Sequence, residues 1–296
     1  MYLPARRERP DASRIRRAHH PRPRRASVGE ALMLRRAARK TILFVVAVFA
    51  VGCVWEIYKV IGPVDGGSVF GWKIIPKASD RAMPHTWDMI ARLLEPENRS
   101  GGSPIAVTVA GYSWYTLRLA AVGLLVGGIV GIGLAVLMAR WRIASRAILP
   151  WVIMSQTVPL IALAPQVVSW SGKIELFGWE WPRWASVCAL AAFLSFFPVA
   201  VGTLKGLTSV PAASLELMET YAVPWRVTLM KLRFPAAVPF IIPSLKLAAT
   251  LSVVGVIVAE ISTGIRGGIG RAVLSYQQAS TGDAEKIYSA VFGAAA

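Results

Sequence analysis

Residues 117–139 read LRLAAVGLLVGGIVGIGLAVLMA, an apolar run whose one charge, Arg118, stands at its edge. About 20 apolar helical residues are needed to cross roughly 30 Å of hydrocarbon, because in lipid every backbone polar group must be satisfied within the helix. This run meets that requirement, and so do four others: Thr41–Ile61, Ile148–Trp170, Trp184–Leu204 and Ala237–Ile261. A sixth begins near Ile287 and supplies only about ten residues before Ala296, about 15 Å at 1.5 Å per residue. Over all 296 residues the chain is 55% hydrophobic and 17% charged, and its mean hydropathy is +0.52. That is too apolar for an ordinary aqueous domain of this length. The pattern predicts an all-α membrane protein, a polytopic helix bundle of five full transmembrane helices plus a truncated sixth.

The net charge of +17 is local, since 13 of the 33 Lys and Arg residues fall in the first 40 positions against three acids. Residues 1–40 are therefore expected to form a basic, disordered, cytoplasmic arm, and its charge suits anionic lipid and topology rather than nucleic acid. No cleavable signal is expected. Lys and Arg stay cytoplasmic in short loops, and the next two inside loops are basic: residues 140–147 carry Arg140, Arg142 and Arg146, and residues 205–236 carry Lys205, Arg226, Lys231 and Arg233. The outer loop 62–111 is balanced in charge, and its Ile90–Leu94 neighbourhood predicts a short amphipathic helix ended by Pro96 and Gly101-Gly102. Trp170, Trp179, Trp181 and Trp184 cluster at the outer edge, where indole rings favour the headgroup zone. Cys53 and Cys188 lie inside apolar segments, so no disulfide framework is indicated.

Within the spans, Gly123, Gly127 and Gly131 strip one helix face so that a neighbour can approach closely. The glycine run 127–133 sits mid-span without a preceding strand, and the sequence contains no P-loop motif, so energy from ATP would have to come from a partner. The third span holds Gln156, Thr157, Pro159 and two further prolines. Freed carbonyls beside polar side chains fit either a translocation path or a kinked packing helix. Charge inside the spans is informative. Glu56 and Lys59, one turn apart, are expected to pair, and Arg118 to snorkel to the interface. Glu260 would either guard the substrate entrance or take a local partner such as Arg266. His19, His20 and His85 lie outside the spans, and no nucleophile, metal or paired-acid constellation is found. No enzyme chemistry and no cofactor are expected.

The cytoplasmic segment from Ser209 to Pro239 reads as two short helices, one started by Pro211 and bearing Glu216 and Glu219, the other resuming at Trp225 after Pro224. On the residues alone it is either a solvated surface helix or a partner-docking element. It resembles the coupling loop of binding-protein-dependent ABC importer permeases, whose pattern is Glu-Ala-Ala, three residues, Gly, nine residues, Ile-x-Leu-Pro. Glu216 takes the first place, Ala222 the Gly place, Leu232 the Ile place, Phe234 the Leu place and Pro235 the last. Leu217 and Met218 stand where the pattern has alanines, and Ala222 replaces the glycine whose backbone freedom permits the tight turn.

Further matches resemble one branch of that family, the permeases of aliphatic sulfonate, taurine, nitrate and thiamine-precursor importers. They are Thr116-Leu117-Arg118, the segment Pro159–Pro165, Phe196-Phe197-Pro198, the segment Gly206–Pro211, and Val258-Ala259-Glu260-Ile261. The resemblance implies a type I importer permease in a bacterial plasma membrane, with residues 41–296 as the transmembrane permease domain, 112–296 as its core and 209–239 as the coupling loop. Its implied partners are a cytoplasmic ATP-binding subunit, an extracytoplasmic solute-binding protein and a second permease subunit. Glu216, Glu219, Ala222, Pro224, Trp225, Arg226 and Pro235 would dock the ATPase, and Gln156, Thr157, Pro159 and Glu260 would line the path of a small polar solute. The family's sixth span follows directly, so the short sixth here reads as truncation or as a divergent subunit paired with a complete paralogue. The alternatives are a non-transporting subunit of such a complex, an ion-gradient secondary transporter, which would carry charges near the midplane, and a membrane enzyme.

Overall fold

The computed structural model describes residues 26–69, 72–80, 82–97, 101–171, 173, 175–176, 178–279 and 283–295. The chain divides into two units, residues 1–61 and 62–296. In the first, helix α1 runs Ala26–Ile61, and its stretch Ala38–Ile61 is long and apolar enough to cross a membrane. This corrects the expectation of disorder as far as residue 40. That expectation rested on charge, whereas the stretch is rich in Ala, Leu and Arg, which are strong helix formers. Residues 1–25, with His19, His20 and Arg24-Arg25, lie outside the described residues.

The second unit contains, in chain order, a two-stranded ribbon of β1 (Gly67–Val69) and β2 (Trp72–Ile75), then α2 (Thr86–Leu94), α3 (Ile105–Arg140), α4 (Arg142–Met154) and α5 (Leu160–Ser169). A second small ribbon, β3 (Glu175–Leu176) and β4 (Trp179–Glu180), leads into α6 (Arg183–Leu207), α7 (Ala212–Thr220), α8 (Trp225–Thr228), α9 (Phe234–Thr263), α10 (Ile269–Ala279) and α11 (Ala284–Ala295). The short helix expected near Ile90–Leu94 is α2. Helix α3 begins twelve residues before Leu117. Its 36 residues span about 54 Å, well beyond the hydrocarbon, so the stretch expected as outer loop is its protruding first turns.

Among the described residues, four helical stretches are long and apolar enough to span, namely Ala38–Ile61, Ile105–Arg140, Arg183–Leu207 and Trp225–Thr263. A fifth crossing exists if Arg142–Thr157 and Leu160–Ser169 count as one, and these are bent by 98°. The third span is therefore broken rather than continuous. Val158 is extended (φ −76°, ψ 122°) between a 3₁₀ turn at Ser155–Thr157 and Pro159, as expected of a residue forced out of the helical region by a following proline. Pro150 and Pro165 stay within their helices. At 12 residues, α11 is too short to span by itself.

The core is a layer of α3, α6 and α9, with α6 most enclosed. The glycines of α3 make it possible. A Cβ at Gly127 would lie 2.7 Å from Ala192 O, and one at Gly131 would lie 2.7 Å from Phe196 O, whereas Gly128 and Gly133 face open space. The close face is thus the 123/127/131 stripe. Hydroxyls bind across it: Ser195 donates to Gly123 O at 3.3 Å and Ser252 to Ala120 O at 2.6 Å, satisfying polar groups that lipid would leave unpaired. On the other side of α6, Gly206 lets Ala237 approach, where a Cβ would lie 2.8 Å from Ala237 Cα.

Candidate coupling segment and translocation path

The segment Ser209–Pro239 leaves the bundle where α6 ends and returns as α9. Pro211 caps α7, its carbonyl accepting from the amides of Ser214 and Leu215. Helix α7 ends in a paired turn, with Val223 N donating to Met218 O and Ala222 N to Glu219 O, both at 2.9 Å. This is the 6→1, 5→2 pattern that requires a left-handed residue at its centre. Ala222 supplies it with φ +48°, the only positive φ at a non-glycine among the described residues. The turn that the family pattern assigns to glycine is therefore present, held by an alanine.

Pro224 then starts α8, which passes through a π-helical turn, Leu229–Arg233, into α9 without a break. The second half of the loop is thus the beginning of the last long span, not a separate surface helix. Its base is pinned to the bundle. Trp225 and Phe234 pack on Ala135, Leu207, Leu229 and Ala237. The Arg140 guanidinium lies 5.2 Å from the Trp225 ring, and Arg233 Nη1 donates to Leu207 O at 3.1 Å.

Glu216, Glu219, Ala222, Pro224, Arg226 and Pro235 are exposed, while Trp225 is half-buried. Sequence reasoning singled out the charges and passed over the apolar residues beside them. Leu217 and Tyr221 are 54% and 74% exposed, and Met230 is 65% exposed. The signal was the Leu217/Tyr221 pair at spacing four on a polar helix, the same spacing that marks a docking face.

Gln156, Thr157 and Pro159 sit together at the break between α4 and α5. Thr157 Oγ1 donates to Met154 O at 2.8 Å and Ser155 Oγ to Val152 O at 2.7 Å, satisfying helix-end carbonyls. Thr157 and Pro159 are exposed. Glu260 lies elsewhere and is fully buried. Its Oε1 accepts from Thr116 Oγ1 and its Oε2 from Gly270 N, both at 2.9 Å, while Thr116 Oγ1 accepts from Ile269 N at 3.0 Å. Glu260 thus has local partners, Thr116 and the Gly270 amide rather than Arg266. Arg118 lies over Trp114, 5.0 Å from the ring.

Two further features escaped the sequence reading. One is a clip: Arg92, almost fully buried, donates to Asp283 at 2.7 and 3.1 Å and to Pro96 O at 2.9 Å. Asp283 also caps α11 by accepting from Lys286 N at 3.2 Å. Burial pushes the Asp283 carboxyl up, but the Arg92 hydrogen bonds and charge, with Lys286, outweigh it and hold the group below the usual carboxylate range. The other feature is Lys246, an exposed cation within α9 and the only charge between Arg233 and Glu260.

Residues 105–296 match the family described as binding-protein-dependent transport system inner membrane component. The chain is 32% identical over 183 residues to a probable ABC transporter permease protein of Haemophilus influenzae, covering 59% of this chain and 71% of the relative. It is 34% identical over 145 residues to the formylaminopyrimidine transport permease protein of Halalkalibacterium halodurans, covering 49% and 54%. It is 24% identical over 214 residues to the nitrate import permease protein of Leptolyngbya laminosa, covering 71% and 70%. The match thus spans only about half of the second of these relatives. With long apolar helices, the glycine-packed bundle and the left-handed turn in the expected register, this chain belongs to the binding-protein-dependent transport system inner membrane components, the permeases of ABC importers.

Proposed function

We propose that this chain forms part of the path by which a small polar solute, of the sulfonate, nitrate or thiamine-precursor kind, crosses the membrane, and that residues 209–239 couple it to a cytoplasmic ATPase. The observation that carries the reading is the left-handed Ala222 turn, which holds α7 off the bundle on a pinned base and presents Glu216, Glu219 and Arg226 beside exposed Leu217 and Tyr221. A second permease subunit would complete the pore, an extracytoplasmic binding protein would deliver the solute, and the N-terminus would lie in the cytoplasm of a bacterium. ATP-driven closure of the ATPases would draw the coupling turns together and open the pore outward. That requires the turn to interact differently with the two ATPase states, since equal affinity for both shifts nothing.

The test is purification of the tagged chain in mild detergent, with mass spectrometry of what accompanies it, alongside Glu216→Ala and Arg226→Glu. An ATPase subunit should come down with the wild type. Both variants should stay in the membrane but lose the ATPase or the coupling of hydrolysis to uptake. Full transport by both would remove the coupling role, and a chain that comes down alone yet transports in liposomes would make it a secondary transporter.

A further inference from the structure

The polar face of α9 is unexplained by the packing of the bundle. Between Phe234 and Ala259, Ser244 is turned back onto Phe240 O and Ser252 is buried on Ala120 O, while Pro239, Pro243, Lys246 and Thr250, at spacings of four, three and four, are all exposed. Such spacing puts the four on one side of the helix. The two prolines remove the hydrogen bonds that would satisfy the carbonyls of residues 235 and 239, so free acceptors lie on this helix as well. The opposite side, through Ala237, Ala248, Ser252, Gly255 and Val256, is the one buried in the bundle.

Lys246 stands 12 residues, about 18 Å, from the start of α9 and 17 residues, about 25 Å, from its end. Apolar residues flank Lys246 for several turns on both sides, which sets it within the apolar stretch of the helix. Among the described residues its ammonium takes no partner. Ionisable groups within a span face a water-filled cavity or a charged partner, because hydrocarbon excludes them. Helical register places Lys246 on the side of Val253, about 10.5 Å nearer the α9 N-terminus. Helix α5, which begins at the break with its polar side chains, packs against α9, and Leu160 and Val253 both border one cluster of buried residues.

We infer that Lys246 is an anion-binding station on a water-lined face of α9, and that the solute it passes carries an anionic group such as a sulfonate or nitrate. A compact ammonium with three donors recognises such a group as a point charge. It offers no advantage to a neutral heterocycle. The inference rests on the transport reading above and narrows its substrate.

The experiment uses the complex of this chain with its ATPase and binding protein in liposomes. In a background with Cys53 and Cys188 replaced by serine, a Lys246→Cys variant is exposed to a membrane-impermeant thiosulfonate. Labelling is expected, and absence of labelling overturns the water-lined face. Uptake of methanesulfonate, nitrate and a neutral aminopyrimidine is then measured for wild type, Lys246→Ala and Lys246→Arg. Anion uptake should fall at least tenfold in Lys246→Ala and return to within about threefold in Lys246→Arg, with ATP hydrolysis and complex assembly retained in both. Undiminished anion uptake in Lys246→Ala overturns the inference, as does uptake of the aminopyrimidine alone, or loss of assembly in both variants. A wild-type complex that hydrolyses ATP and moves none of the three solutes counts against the transport reading itself, and the labelling result then decides whether the face is water-lined.

Discussion

Replacing Ala222 by glycine should strengthen the coupling turn. Ala222 sits at φ +48°, where an L-residue suffers a clash between Cβ and carbonyl of about 1–2 kcal/mol that glycine escapes. Glycine gives back about 0.4–1 kcal/mol through the greater freedom of its unfolded chain. Ala222 is exposed, so its methyl contributes little packing, and the net gain is about 0.5–1 kcal/mol. The two amides that close the turn, Ala222 N to Glu219 O and Val223 N to Met218 O, report on it directly. At tenfold per 1.4 kcal/mol, their hydrogen exchange in the Ala222→Gly variant should slow about 2- to 5-fold, with the amides of α3 and α6 unchanged. Ala222→Val, which puts a β-branched residue at positive φ, should speed exchange at the same two sites. If glycine leaves exchange unchanged or faster, or valine is neutral, residue 222 is not held left-handed and the argument from the turn fails.

Gly127→Val should destabilise the purified protein by about 1–3 kcal/mol, because the new Cβ meets the Ala192 carbonyl and the Phe196 amide of α6, backbone atoms that cannot yield. Gly128→Ala, one residue away and facing open space, should be neutral or stabilising by up to about 1 kcal/mol, and thermal unfolding in detergent compares the two. Glu260→Ala should cost about 1–3 kcal/mol for each donor it orphans, Thr116 Oγ1 and Gly270 N, and should loosen exchange at the α10 N-terminus before the rest of the bundle. The clip between Arg92 and Asp283 should be pH-dependent in a defined direction. A carboxylate whose folded pKa is lowered contributes stability above its unfolded value of about 3.9 and loses it as the pH falls through the folded value. Thermal stability should therefore be flat from pH 5 to 8 and drop below about pH 4, a drop absent in Asp283→Asn.

Four long apolar helices were legible because hydrocarbon imposes a length and a composition that show in the sequence. The glycine stripe was legible because spacing four has one meaning on a helix. The α4–α5 break was less so: three prolines were visible, but only Pro159 interrupts, and what distinguishes it is the 3₁₀ turn at Ser155–Thr157 just before it. The early start of α3 was hidden because residues 105–116 include Tyr112, Ser113, Trp114 and Tyr115, a mixture that reads as interface rather than helix. Long-range polar partners were not legible at all. Nothing in the chain pairs Arg92 with Asp283, 191 residues away, or Glu260 with Thr116, 144 away, because such pairs are chosen by tertiary packing and not by local pattern. Lys246 was available to sequence reasoning as a lone charge in an apolar run. It was passed over beside Glu260, whose carboxylate belongs to the fold.

The continuity of Trp225–Thr263 gives the coupling proposal a physical route. One helix of 39 residues, about 58 Å long, carries the Ala222 turn just ahead of one end and Glu260 near the other. A close-packed bundle does not deform continuously, so a pull on the turn is taken up either by shifting the whole helix against α3 and α6 or by bending it. Bending is easiest at Pro239 and Pro243, where backbone bonds are missing, and these lie on the same exposed line as Lys246. Beyond them, Ser252 is tied to Ala120, and Glu260 to Thr116 and Gly270. Both ends of the helix are held, near the turn by Ala237 against Gly206 and by Arg233 on Leu207 O, and at the far end by Glu260, so a bend would fall on the proline stretch between them. An ATPase that pulls on the turn would in that case bend the helix beside Lys246, which is the kind of local motion that alternating exposure of a solute site requires.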